Sequence, residues 1–342
     1  MIKITMKKTI LLSTLILTTT LFTVKAQDDE SPLVISGSVD TYYKYDFSGI
    51  SNSITSFADD QNSFSLGMAN VILSKEVGKA SFVADLAFGP RADQSAPGPI
   101  QNLYVSYALS EKVTVTGGFM GTFVGYEVIS PVANFNYSTS YLFSNGPFQN
   151  GGLKFDFAIS EKFGIMAGVF NEFDSYSNTS GGLDFGAQVY LSPADGWDAY
   201  INFVTSNDSG SEIDLTTTYQ ITDEFMLGLN AAKRTTGEFF DEDAGDGANF
   251  YGVAVYANYA ISDNFALGFR GETFEDEDGG VLSESVGSKV TSFTLSGNIG
   301  SGPLKLIPEI RVDTANEDLF MDADGAPTDS FAQFILAAVF SF

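Results

Sequence analysis

The residues of this chain that could do chemistry are carboxylates and a few cations, and many of them recur at every second position of extended-looking segments. There is no histidine and no cysteine. The first absence removes the usual general base and the commonest metal ligand, which excludes hydrolytic arrangements that pair serine or aspartate with histidine. The second removes disulfides, a thiol nucleophile and a cysteine-linked lipid anchor. What remains is electrostatic chemistry, with fixed charges displayed along a wall.

Lys154, Asp156, Asp184, Asp198, Asp214, Arg234, Arg270, Glu272, Lys305, Glu309 and Arg311 are the candidates for that wall. Asp40, Lys44, Asp46, Asp85 and Asp313 share the pattern, giving ten acids and six bases on one face. For any single residue the plain alternative stays open, that it is merely the solvated side of a strand. The acidic runs Asp241-Glu242-Asp243, Asp246, Glu275 to Asp278, and Asp322 with Asp324 invite a divalent cation, since hard cations prefer carboxylate oxygens. Their spacing does not fit a calcium-binding helix-loop-helix, because Gly245 stands at the next ligand position after Asp241 and Asp243. Solvated loops are the better reading, and glycines 245, 247, 279 and 280 mark flexible connections, not phosphate cradles.

These charges need strands to position them. Leu153, Phe155, Phe157 and Ile159 alternate with Lys154 and Asp156; Leu183, Phe185, Ala187 and Val189 alternate with Asp184, Gly186, Gln188 and Tyr190. Ile213, Leu215, Thr217, Tyr219 and Ile221 do the same against Asp214, Thr216, Thr218 and Gln220. A period of two is the mark of a strand with one apolar and one wet face. Short turns recur between such segments at 76–78, 109–112, 159–162, 193–196, 221–224, 261–264 and 300–302, rich in the Ser, Asp, Asn and Gly that favour tight turns. These turns join fourteen strands in pairs, and segments 33–46 and 329–342 bring the count to 16.

The other connections are longer, at about 47–62, 89–98, 122–146, 174–180, 206–210, 235–248, 275–287 and 314–328, and together hold 20 acids and a single base, Arg91. Short turns on one rim and long loops on the other are the plan of bacterial outer-membrane barrels. Lys3, Lys7 and Lys8 precede an apolar run from Ile10 to Phe22 that ends in Val24-Lys25-Ala26, the pattern of a cleaved export signal. That run is shorter than the roughly 20 residues a spanning helix needs. We therefore expect a signal peptide at 1–26 and a barrel at 27–342. Removing the leader's four lysines leaves 13 bases against 43 acids, a balance that speaks against nucleic acid as a partner. Aromatic residues make up 14% of the chain, too many for a disordered acidic protein.

No later segment is apolar for long enough to be a membrane helix, so a membrane-spanning form must be a closed barrel with every backbone group paired. The last strand places Phe334, Leu336, Ala338, Phe340 and Phe342 at alternate positions and ends the sequence on an aromatic residue. Phe340 and Phe342 resemble the terminal signal read by the barrel assembly machinery.

The stretch from Gly118 to Glu127, with Asn134 to Tyr141 and Gly146-Pro147-Phe148, resembles the OmpL-like outer-membrane β-barrel porin family, and the plan is similar along the whole mature chain. The resemblance implies an outer-membrane channel and carries over no catalytic residue or cofactor. The expected fold is all-β, a transmembrane antiparallel β-barrel of about 16 strands with short periplasmic turns and long acidic extracellular loops. A barrel of that size is wide enough for water, and wall charges would tune which solutes pass. Passive diffusion of small hydrophilic solutes, with a preference for cations, leads; a non-conducting barrel with an adhesive or structural role is the alternative. An enzyme at the rim is weakest, for want of histidine. The partners implied are outer-membrane lipid and lipopolysaccharide, the assembly machinery, small solutes, and divalent cations at the loops; the oligomeric state is open. Connection 122–146 is apolar and aromatic, unlike the other long loops. Either it folds into the lumen, bringing Glu127 against Arg234, Arg270 or Arg311, or its ends extend two strands above the membrane.

Overall fold

Alternation of branched and aromatic residues with polar ones builds every wall of the molecule. The computed structural model describes residues 31–179, 181–206, 210–235 and 249–342. The expected leader and the acidic run at 241–246 lie outside them. The first strands are β1 (Val34–Asp46), β2 (Ser63–Val77), β3 (Ala80–Phe88), β4 (Ile100–Ser110) and β5 (Val113–Gly121), with a short helix α1 (Pro90–Ser95) between β3 and β4. After a second short helix, α2 (Tyr141–Asn145), come β6 (Gln149–Ser160), β7 (Phe163–Phe170), β8 (Asp184–Ala194), β9 (Trp197–Ser206) and β10 (Gly210–Gln220). The last are β11 (Phe225–Thr235), β12 (Phe250–Ser262), β13 (Phe265–Asp276), β14 (Ser288–Ser301), β15 (Leu304–Ala315) and β18 (Ser330–Ser341). Two-residue strands β16 (Phe320–Met321) and β17 (Pro327–Thr328) form a separate ribbon in the last long loop.

The sixteen longer strands pair antiparallel with their chain neighbours, and β18 returns to β1, so the sheet closes. Closure runs from Ser38 opposite Ser341 to Asp46 opposite Gln333, and Phe342 exchanges backbone hydrogen bonds with Gly37. No edge is left exposed, the condition for a sheet to stand in lipid. The seven short turns sit where the sequence places them, at one end of the barrel. No helix among the described residues is long and apolar enough to cross a membrane.

Burial follows the period of two with the apolar side outward. Along β15, Leu304, Leu306, Ile310 and Val312 are exposed while Ile307, Glu309, Arg311 and Asp313 are buried. Along β18, Leu336 and Phe340 point out while Gln333, Ile335, Ala337 and Val339 point in. The polar set is therefore enclosed by the wall and the apolar set forms the outer belt. One irregularity matters for the interior: the β1–β2 register shifts between Val39 and Thr41, where β2 carries an extra residue at Gly67-Met68 opposite the inward-facing Asp40. There the Asp40 carboxylate accepts the Met68 N–H at 2.9 Å, and position 67 is glycine because a methyl group would overlap that carboxylate.

Candidate functional site

The connection between β5 and β6, residues 122–148, folds into the barrel, so its ends do not extend the strands upward. Tyr137, Tyr141, Thr139 and Ser140 are fully buried. Apart from α2 the segment has no regular structure, so its N–H and C=O groups lack ladder partners inside a space with little water. Each such group left unpaired would cost about 1–3 kcal/mol. The charged residues of the wall meet them one by one.

Glu309 accepts the N–H groups of Tyr137 at 2.6 Å and Ser138 at 3.1 Å. Glu272 accepts those of Tyr141 at 2.9 Å and Leu142 at 2.8 Å. Arg270 donates to the carbonyls of Ser138 at 2.7 Å and Thr139 at 3.2 Å, and Arg311 donates to Thr139 at 2.9 Å. Lys305 reaches the carbonyls of Pro131, Val132 and Asn134 at 3.1–3.3 Å. Two tyrosine hydroxyls complete the set, Tyr137 donating to Asp40 at 2.5 Å and Tyr141 to Asp313 at 2.6 Å. One partner in each contact is an ionisable side chain, and in its charged form such a bond is stronger than a neutral one.

Ion pairs fix the same region. Among the three arginines considered for Glu127, the partner is Arg270, at 2.6 Å, and the other Glu127 oxygen accepts the Ser140 N–H at 2.7 Å. Arg311 pairs with Asp313 and Arg234 with Glu212, both at 2.8 Å. Arg234 also lies 5.1 Å from the Phe250 ring and 5.5 Å from that of Phe173. Asp214 accepts the Gly125 N–H at 3.1 Å. Asp184 is buried at the start of β8.

Two participants were not among the candidates. Glu212 lies two positions before Asp214 on the same face, so the alternation extended by one pair of residues would have found it. Arg91, the one base of the long connections, is buried between the Phe57 and Tyr137 rings, 4.6 and 4.8 Å away, and donates to the carbonyls of Ile129 and Tyr137. The rings of Phe57, Phe143 and Phe148 pack on one another, joining the first and third long loops in one layer. Inward residues near that end of the wall, including Asp46, Asn150, Phe170, Val204, Phe250 and Asp276, are buried.

Toward the short turns the interior is wetter. Lys154 and Asp156 pair at 3.0 Å with side chains 18% and 21% exposed. Asp198, on β9, accepts the Tyr190 hydroxyl at 2.7 Å and is also partly exposed. Two of the described acidic loop residues are engaged locally: Asp276 accepts the N–H groups of Gly279, Val281 and Leu282, and Asp322 those of Asp324 and Ala326. Among the described residues no group of three or more acids converges as a cation site. Outside the wall, in the loop after β7, Asp174 accepts the N–H groups of Phe148 and Gln149 at 2.8 and 2.7 Å. Burial pushes its carboxyl up to about 6, against the opposing effect of those two bonds and of Arg234.

Solved structures share this architecture at low identity, which shows the fold alone. The outer-membrane channel DcaP of Acinetobacter baumannii has a TM-score of 0.61 and 13% identity, with 91% of this chain and 97% of that one covered. The anion-selective porin of Comamonas acidovorans gives 0.62 and 12%, covering 92% and 100%. OmpT of Vibrio cholerae, folded in vitro and solved as a trimer, gives 0.62 and 11%, covering 92% and 100%. No curated protein matches the sequence. The profile of the family described as "Putative beta-barrel porin-2, OmpL-like" matches residues 32–342. The chain therefore belongs to that OmpL-like porin family, as a closed 16-stranded barrel of the Gram-negative outer membrane.

Proposed function

We propose that the barrel is a passive channel for small hydrophilic solutes, with a preference for cations. One observation carries the reading: among the described wall candidates toward the short turns, Lys154, Asp156 and Asp198 stay partly exposed and clear of the folded-in loop, whereas Lys305, also partly exposed, donates to three of the loop's carbonyls. Arg270, Arg311 and Lys305 are occupied by the folded-in loop, so they are not free to attract anions, and Lys154 is neutralised by Asp156. The acidic excess at that mouth acts at close range, whereas rim charges beyond about 8 Å are screened at physiological salt. Passage requires the loop layer to part from the wall. Between residues 121–129 and strands β8–β10 there are two described hydrogen bonds, Gln188 to the Phe123 carbonyl and the Gly125 N–H to Asp214, beside the packing of Phe123 and Val124 with Val204 of β9.

The same proposal includes a signal peptide at 1–26, an assembly signal at Phe340 and Phe342, no catalytic role, and a homo-oligomer such as the trimer seen for the Vibrio cholerae relative. Planar-bilayer recording under a potassium chloride gradient tests it. A cation-selective reversal potential is expected, weakened by Asp156→Asn with Asp198→Asn and unchanged by Asp184→Asn. An anion-selective potential at low salt overturns the preference. Complete absence of conductance favours the second reading, a non-conducting barrel with an adhesive or structural role, to which the buried inward side chains near the long-loop end point.

A further inference from the structure

Between the first limb of the folded-in loop and strands β8–β10 lies a cavity of about 110 Å³. Val124, Val128, Phe143 and Phe148 line it from the loop, and Tyr200 and Thr216 from the wall. We propose that this cavity binds a compact, neutral molecule with a flat apolar body and a single hydrogen-bonding group, of the size of one aromatic ring. The proposal does not depend on whether the barrel conducts.

Volume sets the size. The volume of about 110 Å³ lies between the roughly 30 Å³ that one water takes up in the liquid and the roughly 150 Å³ of an apolar cavity that binds benzene, so one small ring is the upper bound. Water is also a poor occupant, since it needs two to four polar partners. The cavity offers few. Glu127, which touches it, spends one oxygen on Arg270 and the other on Ser140. The Gln188 amide nitrogen is taken by the Phe123 carbonyl at 3.3 Å and by Asn202 at 2.8 Å. No unpaired charge is left to recognise an ion, so the occupant is neutral.

On the wall two hydroxyls remain, with the Gln188 side-chain oxygen beside them. Among the described residues neither the Tyr200 nor the Thr216 hydroxyl has a hydrogen-bond partner, and they sit on adjacent strands, opposite one another in the ladder. Together they suit one hydroxyl or carbonyl on an otherwise apolar ring. This is the usual composition of a ligand site, mostly apolar with a few placed polar groups. Access requires this limb to move off β8–β10, which it meets through two described hydrogen bonds and the packing of Phe123 and Val124 with Val204.

Fluorine NMR of 4-fluorophenol, titrated with the full mature protein folded in detergent micelles, tests the site. Micelles without protein set the baseline for partitioning. Saturable binding is expected, weakened at least tenfold by Val124→Phe and by Thr216→Met, which fill the cavity from the loop and from the wall. Tyr200→Phe, which removes one oxygen and no packing, is expected to weaken it three- to tenfold, and glucose is not expected to compete. Folding of each variant is read from its heat-dependent gel shift, and Tyr200→Phe carries the comparison where a larger side chain prevents folding. Absence of saturable binding above the micelle baseline overturns the proposal. So does binding unchanged across the folded variants, or displacement by glucose at equal concentration.

Discussion

Replacing Glu127 by alanine tests whether wall charges hold the loop inside the barrel. The carboxylate pairs with Arg270 at 2.6 Å and caps the Ser140 N–H at 2.7 Å, and both side chains are buried. Removing one member of a buried ion pair costs about 3–5 kcal/mol, because the other charge is left uncompensated. Here the low end applies: Arg270 keeps its bonds to the carbonyls of Ser138 and Thr139 and to the Thr294 hydroxyl. A loss of about 3 kcal/mol from the packed state corresponds to local opening on the order of a hundredfold more frequent. Hydrogen exchange read by mass spectrometry on peptides spanning 134–142 reports this directly, since the N–H groups of Tyr137, Ser138, Ser140, Tyr141 and Leu142 all donate to wall or loop carboxylates. Exchange there should accelerate by that factor while β3–β5 amides stay protected. The Arg270→Met, Glu127→Ala double variant should lose less than the sum of the single losses, the sign of a coupled pair. Unchanged exchange in Glu127→Ala would refute the claim that this pair retains the loop.

Three further outcomes are expected. Phe340→Ala combined with Phe342→Ala should lower the amount of folded barrel in outer-membrane fractions and leave precursor in the periplasm; wild-type levels would show that the terminal aromatics are not used for assembly. Gly228→Val should push Tyr126 off the Tyr256 ring, on which it stacks at 4.1 Å, because any added carbon at 228 overlaps the Tyr126 hydroxyl; overpacking of this kind costs about 1–3 kcal/mol, read as a lower unfolding midpoint and a changed near-ultraviolet dichroism. Asp174, held at about 6 from an ordinary 3.8, takes up its proton more readily folded than unfolded, so its contribution to stability is full below about pH 4 and is lost as pH rises through about 6. The slope amounts to at most about 3 kcal/mol, and Asp174→Asn should flatten it in unfolding midpoints measured from pH 4 to 7; an unchanged slope would place the titration elsewhere.

The wall of this protein was legible because lipid leaves a sheet so few options. Outward residues such as Leu306, Ile310 and Val312 must be apolar, inward residues such as Glu309 and Arg311 need not be, and every strand must find a partner. Turn residues then fix the count, and all seven short turns and sixteen strands follow from the sequence. The fold of residues 122–148 was half legible: rings such as Tyr137 and Tyr141 are poorly suited to water, which points inward, but nothing local says which wall groups receive them. Those contacts join positions more than a hundred residues apart, such as Tyr137 with Glu309.

The role of the inward charges was the least legible part, for a physical reason. A charge that lines water and a charge that satisfies a buried backbone group occupy the same alternate position on the same kind of strand, so period and composition are identical for both. They differ only in what lies opposite. On β13 and β15, Arg270, Glu272, Glu309 and Arg311 face an irregular segment whose peptide groups have no ladder of their own, and opposite charges there match opposite ends of the peptide dipole. Acids take the N–H groups and bases take the carbonyls. On β6 and β9 the chain offers no such segment to Asp156 or Asp198, and those side chains keep contact with water. The division of labour around the barrel is thus set by where one loop lies, and on the side of the wall opposite its charged anchors the inward charges pair with one another or with a hydroxyl and stay partly exposed.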